Sequence, residues 1–146
     1  MKNILLSIGL CLTGIALTGC IVVGVDHNSS APPAVVVPST TADSVAFAEI
    51  DAASKLDFEN ARVSALIPVA GRTNLTATSQ VYLVNTTMRR LDFDNDKITV
   101  LKTLISNQAF CNPAKQTILT SLGKLNFDND RAGLLALLNE RGELKD

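Results

Sequence analysis

Aromatic and histidine side chains are scarce in this sequence. Among 146 residues there is no tryptophan, one tyrosine and five phenylalanines. A folded core must therefore consist mainly of Leu, Ile, Val and Ala, which favours packed helices. The single histidine, His27, lies in a stretch rich in Pro, Ser and Val. We expect it to be solvated, and we expect neither a Cys–His nucleophile nor a zinc cluster in the folded part.

The sequence also lacks a run of basic residues. It has 13 Lys and Arg against 14 Asp and Glu, a formal charge of −1. Nucleic-acid binding calls for a basic patch, and recruitment to anionic lipid calls for a basic cluster. The composition therefore predicts no nucleic-acid partner. Serine hydrolysis is not expected either, because the sequence has no Gly-x-Ser-x-Gly turn.

The N-terminus has the pattern of a secretion signal. Lys2 is followed by an uncharged apolar run, residues 4–16, that is too short to span a bilayer comfortably. The next residues, Leu17-Thr18-Gly19-Cys20, resemble the lipobox of bacterial lipoproteins. That resemblance implies cleavage before Cys20, a diacylglycerol on its thiol and a fatty acyl group such as palmitate on its amino terminus. An ordinary cleaved signal and an uncleaved anchor are the alternatives.

The lipobox resemblance divides the chain and predicts its location. Residues 1–19 are the signal peptide, residues 20–41 are a lipidated linker containing three prolines, and residues 42–146 are the folded domain. The expected membrane contact is through the lipid on Cys20. Ile21, rather than Asp, follows the lipidated residue, so a Gram-negative lipoprotein of this kind would pass to the outer membrane.

Cysteine is too scarce for an internal disulfide. Once Cys11 is removed with the signal peptide and Cys20 is lipidated, Cys111 is the only thiol left. We expect Cys111 to be a small, partly buried packing residue. Redox sensing and an intermolecular bridge are the alternatives.

A seven-residue motif occurs three times in the predicted domain. The copies span residues 56–62, 91–97 and 125–131, at spacings of 35 and 34 residues. Self-similarity at this period is typical of helical repeat proteins. The sequence therefore predicts an all-α domain of stacked helical-hairpin repeats, beginning at about residues 56, 91 and 125, in a small superhelix or bundle.

Apolar residues at helical spacing predict six helices between and around these motifs. Their expected bounds are 43–55, 59–69, 77–89, 94–106, 113–123 and 128–140. In the fifth helix we expect Asn112 to be the N-cap and Pro113 the first helical residue. Each helix is too short to be stable alone, so the stability must come from stacking.

Each motif copy predicts a sharp corner between two helices. In the middle copy, Asp94 is the expected N-cap and Phe93 the residue that packs on Ile98 as a hydrophobic staple. Asp96 would lie in the first turn, near the positive end of the helix dipole. The Asn that recurs in all three copies has no such explanation. The predicted corner residues are Phe58, Asn60, Phe93, Asp94, Asn95, Asp96, Phe127, Asp128, Asn129 and Asp130.

The recurring Phe-Asp-x-Asp-Lys corner resembles a bacterial domain of unknown function that is built from tandem copies of this motif. The resemblance is best over residues 91–141 and weaker over residues 56–90, where Ala61 stands in place of Asp96. It implies an all-α domain in the cell envelope. It brings no activity and no catalytic residues.

Two functions compete at this stage. The first is a non-catalytic interaction module that binds an envelope protein or polymer along an exposed stripe, without catalytic residues, metal or cofactor. The second is a calcium sensor or hydrolase that uses the acidic corners. Asp92, Asp94 and Asp96 have the alternate spacing of a calcium loop, but Lys97 and Thr103 stand where such a loop needs Gly and Glu. A metal site would require the carboxylates of Asp92, Asp96 and Asp130 around one point.

Overall fold

The computed structural model describes residues 40–142. The predicted signal peptide, Cys20, His27 and nearly all of the predicted linker lie outside the described residues, so the predictions made for them are not addressed by the fold. The described residues belong to the unit Ala34–Asp146.

The predicted all-α fold is confirmed. Residues 40–142 contain six α-helices and one 3₁₀ turn, and no strand. The helices α1 to α6 span Thr41–Ser54, Glu59–Ala70, Ala77–Arg90, Asp94–Ser106, Asn112–Ser121 and Asp128–Glu140. The predicted bounds of the fourth and sixth helices agree with these. The predicted end of the fifth helix instead forms the 3₁₀ turn, Leu122–Lys124.

The start of α5 differs by one residue from the prediction. Cys111, not Asn112, is the N-cap, with an extended backbone at φ −116° and ψ 160°. Asn112 is the first helical residue, and Pro113 stands in the first turn. A proline is tolerated there because the first N–H groups of a helix have no partner within the helix.

The six helices form two layers. In the first layer α1 packs against α3 and α3 against α5, and in the second layer α2 packs against α4 and α4 against α6. Contacts of α1 with α2 and of α3 with α4 join the layers as hairpins. We call the side where α2, α4 and α6 begin the corner edge, and the opposite side, where α3 and α5 begin, the loop edge. The described chain enters at Thr40, on the loop edge.

The core lies between the two layers and is almost entirely aliphatic. The aliphatic side chains with no more than 1% exposure include Ile50, Leu66, Leu83, Val84, Leu101, Leu104, Ile105, Ile118, Leu125, Leu134 and Leu138. They come from all six helices and from one corner. This distribution agrees with helices that depend on stacking for their stability.

Hydrogen bonds hold the first-layer helices together at the loop edge. Thr40 and Thr76 are N-caps, and their hydroxyls accept the N–H groups of Asp43 and Ser79. The carboxylate of Asp43 also accepts the hydroxyl of Thr76 and, at 2.7 Å, that of Ser79. The start of α1 is thereby joined to the start of α3.

Two amide side chains satisfy the loop backbone at the same edge. Asn107 donates to the carbonyls of Ala70 and Arg72 at 3.0 and 2.6 Å. Gln80 donates to the carbonyl of Ala109 at 2.7 Å and accepts the N–H of Cys111 at 3.2 Å. Both residues are buried, so each amide replaces water for a backbone group that would otherwise lack a partner.

Candidate binding surface at the helix corners

The three corners share one backbone geometry. Phe58, Phe93 and Phe127 are the N-caps of α2, α4 and α6, with φ between −92° and −105° and ψ between 130° and 136°. Two residues before the Phe, Leu91 and Leu125 are buried between the layers at 3% and 1% exposure. The second and third corners therefore pass from the first layer to the second in the same way, whereas Leu56 of the first corner is 42% exposed.

The predicted N-cap role of Asp94 is wrong. Phe93 occupies the cap position, and no side chain caps α4. Asp94 is instead the first helical residue and is buried, with a side-chain exposure of 2%. Its carboxylate must therefore be satisfied by other groups.

The carboxylate of Asp94 joins the second corner to the third. Oδ2 accepts the backbone N–H of Asn126 at 2.5 Å, and Oδ1 accepts the side-chain amide of Asn126 at 3.3 Å. The ammonium of Lys97 lies 3.2 Å from Oδ1. Asp94 thus connects two repeats through a residue that is 32 positions away in sequence.

Glu59 makes the equivalent connection from the first corner to the second. Its Oε1 accepts the backbone N–H groups of Asp92 and Phe93 at 2.7 and 3.2 Å, and its Oε2 pairs with Arg62. Glu59 is thus the first helical residue of α2 and not its N-cap. The longer side chain reaches two N–H groups of the next corner.

Asp128 is the equivalent residue of the third corner, which is the last corner within residues 40–142. Its side chain is 92% exposed and pairs only locally with Arg131, at 2.8 Å. Glu59 and Asp94 are therefore connectors between repeats, whereas Asp128 pairs only within its own motif in the described residues.

The basic residue of each motif satisfies its own corner. Arg62 donates to the carbonyl of Leu56 at 3.1 Å, and Arg131 donates to the carbonyl of Leu125 at 3.0 and 2.6 Å. In the middle copy the ammonium of Lys97 lies 3.4 Å from the carbonyl of Asp92. Each base also pairs with the acid three residues before it.

The connecting carboxylates are held in their charged form. Burial by itself would raise the pKa of Asp94, but the N–H of Asn126 and the ammonium of Lys97 outweigh it and lower this pKa. Burial likewise opposes the shift at Glu59, and the guanidinium of Arg62 with the N–H groups of the next corner lowers the pKa of Glu59. Both groups therefore favour the folded state at neutral pH.

The predicted hydrophobic staples are also wrong. Phe58, Phe93 and Phe127 are 74%, 65% and 65% exposed, so their rings do not pack as buried residues of the corners. Because the N-cap is Phe93 and not Asp94, every helical position falls one residue earlier than predicted, and the fourth helical residue of α4 is Lys97 rather than Ile98. Ile98 is the fifth helical residue and is buried.

The recurring Asn is exposed beside each of these phenylalanines. Asn60, Asn95 and Asn129 occupy the second helical position, on the solvent side of α2, α4 and α6. Asn60 accepts the adjacent N–H of Ala61 at 2.9 Å, a local contact within the first turn. We call the six side chains the phenylalanine row: Phe58, Asn60, Phe93, Asn95, Phe127 and Asn129.

The row runs along one edge because the connectors bring successive corners together. Two groups of exposed charges accompany the row, one at the ends of the first-layer helices and one at the starts of the second-layer helices. The basic flank, from the ends of α1, α3 and the 3₁₀ turn, consists of Lys55, Arg89, Arg90 and Lys124. The acidic flank consists of Asp57, Asp92 and Asp128, one at each corner. Asp92 lies toward the second layer, since its carboxylate is 3.3 Å from Arg62 of α2.

The acids of the corners are not gathered around one point. Asp92 faces Arg62, whereas Asp94 faces Asn126 and Lys97. Within residues 40–142, no group of three or more His, Cys, Asp or Glu side chains is placed to hold a metal ion. Two of the carboxylates that the sequence suggested as calcium ligands, those of Asp92 and Asp94, have structural partners instead.

Cys111 and Tyr82 both lie in packed surroundings. Burial raises the pKa of the half-buried Cys111 thiol, which disfavours the reactive thiolate. The ring of Tyr82 stacks on Phe47 with centroids 4.0 Å apart, and its hydroxyl donates to Asp51 at 2.5 Å. Burial and the nearby Asp51 raise the pKa of Tyr82.

Comparisons with protein-family models, curated proteins and solved structures gave no match to this chain. In the described part of the chain, no helix is both long and apolar enough to cross a membrane. The function must therefore be argued from the corner residues themselves.

Proposed function

We propose that this chain is a lipid-anchored cell-envelope protein whose helical domain is a non-catalytic binding module. The observation that carries the proposal is the phenylalanine row, which repeats at three successive corners and faces solvent. Folding requires neither an exposed ring nor an Asn at these positions. A feature that recurs without a task in the fold is best explained by recognition of a partner.

The size of the row supports a binding surface. A phenylalanine side chain can bury about 150–250 Å², so three rings exposed by 65–74% present roughly 400 Å² of apolar surface. The largest apolar patch of a typical monomer is about 300–600 Å² and often functional. The row therefore lies in the range of a binding patch, while single exposed residues such as Val45 do not.

The remaining corner groups support a non-catalytic role. Asp94, Glu59 and the bases of the motifs are engaged with backbone groups or with each other. A general acid or base must instead be free to reach a substrate. The alternative, a metal sensor or hydrolase at the acidic corners, has no comparable observation in its favour.

Binding by the row can be tested with a photo-crosslinking amino acid in the full chain, in its native envelope. Placed at Asn95, in the centre of the row, it should form discrete crosslinked products. The control is Gln108, which is also exposed but lies on the loop edge. The products should disappear when Phe58, Phe93 and Phe127 are all replaced by Ser. Equal crosslinking from Asn95 and Gln108 would contradict the proposal.

The anchor is a separate part of the proposal and rests on Leu17-Thr18-Gly19-Cys20. Labelling with a palmitate analogue, followed by fractionation, should place label on the wild-type chain in the membrane fraction. The Cys20→Ser variant should carry no label and should leave that fraction in an alkaline wash. Label that persists in the variant would contradict lipidation at Cys20.

A further inference from the structure

We propose that the partner of the phenylalanine row is the same row on a second copy of this chain, so that the domain forms a twofold-symmetric dimer. The inference rests on the proposed function as a binding module and names its partner. In the predicted arrangement the symmetry axis runs along the row. Phe58, Phe93 and Phe127 each then meet their own counterpart.

The apolar area agrees with the needs of a stable dimer. The three rings and the half-exposed Leu56 present roughly 400–500 Å² of apolar surface along the corner edge. Protein interfaces are about 56–65% apolar, so this area corresponds to about 700–800 Å² of total surface per partner. A standard stable interface buries about 800 Å² on each side.

The charged flanks select the orientation. A twofold axis along the row places the basic flank of one copy over the acidic flank of the other, on both sides of the rings. An axis across the row would place basic flank on basic flank. Opposite potentials across an interface favour association and fix its register, while like charges oppose it. The flanks therefore predict parallel rows.

A second copy fits this surface better than a strongly charged partner. Nucleic acid and anionic lipid both favour a uniformly basic surface, and the row has acids along one side. A twofold interface needs one self-complementary patch, and a basic and an acidic flank on either side of an apolar row form such a patch. Facing phenylalanines also favour offset or edge-to-face ring pairs.

The row is pre-organised for this contact. Glu59 and Asp94 hold successive corners together through backbone N–H groups, so the spacing of the three rings is set before binding. A rigid patch loses less conformational freedom on association than a mobile one. The connectors thus serve the dimer without touching it.

The dimer can be tested by sedimentation velocity of the full chain in a density-matched detergent. The wild type should be dimeric at micromolar concentration. The variant with Phe58, Phe93 and Phe127 replaced by Ser should have a dissociation constant raised at least ~100-fold, as expected from the loss of the apolar area. Because the variant carries the same lipid, it also controls for two chains that merely share a micelle.

A charge exchange tests whether opposite charges of the two flanks meet across the interface. One variant replaces the basic flank, Lys55→Glu/Arg90→Glu/Lys124→Glu, and the other replaces the acidic flank, Asp57→Lys/Asp92→Lys/Asp128→Lys. All six positions are exposed, so both variants should fold, which circular dichroism can verify. Each variant alone should dimerise at least ~10-fold more weakly than the wild type, whereas their equimolar mixture should form a heterodimer.

The outcomes separate this inference from the proposed function. A wild type that stays monomeric at 100-fold higher concentration, or a mixture that forms no heterodimer, would overturn the dimer. If crosslinks from Asn95 to another protein persist in that case, the binding module stands and only its partner was misassigned. If Asn95 also forms no crosslinks, both proposals fail.

Discussion

Replacement of Asp94 by Ala tests whether this residue connects two repeats or caps its own helix. The variant removes a carboxylate that is 2% exposed and that accepts the backbone and side-chain N–H groups of Asn126. It also leaves the ammonium of Lys97 buried without its counterion. The link between the second and third repeats is lost, while the helix start at Phe93 has no side-chain cap to lose.

The size of the effect follows from these contacts. A hydrogen bond to a charged group contributes about 1.5–3 kcal/mol, and breaking a buried ion pair costs about 3–5 kcal/mol. The two ranges meet at about 3 kcal/mol, which is our expected loss in the free energy of unfolding. In a domain of this size that loss lowers the melting temperature by roughly 12–20 °C.

Asp128→Ala is the matched control. Asp128 occupies the same position in the motif and in its helix, but it is exposed and connects to no further corner. We expect a loss of at most about 0.5 kcal/mol, from the helix dipole and the exposed pair with Arg131. Urea unfolding of both variants, followed by circular dichroism, measures the difference.

The comparison can refute the connector role. If these acids acted as N-caps, each variant would lose a similar amount, about 0.5–2 kcal/mol. Equal losses for Asp94→Ala and Asp128→Ala would therefore contradict our account of the motif. Glu59→Ala should fall near Asp94→Ala, since it also reaches the next corner.

Three further predictions concern titration, packing and reactivity. The pKa values of Glu59 and Asp94 are lowered in the folded state, so the free energy of unfolding should fall as the pH drops below about 4. This fall should be smaller in Asp94→Ala, which lacks one of the two carboxylates. Urea midpoints measured between about pH 3 and 7 test both expectations. Asn107→Ala should cost about 2–3 kcal/mol in urea unfolding, because the buried carbonyl of Ala70 and the partly buried carbonyl of Arg72 lose their donor. The exposed Asn95→Ala should cost less than about 0.5 kcal/mol. Cys111 should react with iodoacetamide at least ~10-fold more slowly in the folded than in the urea-unfolded chain, since burial raises its pKa; equal rates would contradict its packed position.

The helices were predictable because their signals are local. Apolar residues at helical spacing, bounded by the repeated motif, placed all six helices, and the bounds of α4 and α6 agree with the prediction. The end of α5 was less predictable. Gly123 lies between the helix and Leu125, and the chain tightens there into a 3₁₀ turn that helical spacing alone does not indicate.

The roles within the corners were not predictable from local rules. An acid after Phe93 fits an N-cap in sequence, but its partner is the N–H of Asn126 in the next repeat. The sequence contains one sign that this acid is not a cap: the position holds Glu59 in the first copy but Asp94 and Asp128 in the others, and Glu is rarely a good N-cap. A side chain that varies in length at one position suggests a target at some distance.

The role of the phenylalanines was predicted wrongly for a similar reason. An apolar residue beside a helix start resembles a staple, and only the three-dimensional arrangement shows that the rings face solvent. The recurring Asn gave the better sequence signal, because no rule of helix starts requires it there. Asn60, Asn95 and Asn129 are exposed along the row, as a residue kept for recognition would be.

Unfolding of the triple variant Phe58→Ser/Phe93→Ser/Phe127→Ser is the most direct test that the row belongs to the surface rather than to the core. Since about two thirds or more of each residue is exposed, we expect a loss below about 1 kcal/mol per ring and a domain that remains folded. Rings that packed as core residues would each cost about 3–5 kcal/mol, and the variant would unfold. Urea unfolding that leaves the domain folded supports the row as a binding surface, whereas a collapse of stability would contradict it.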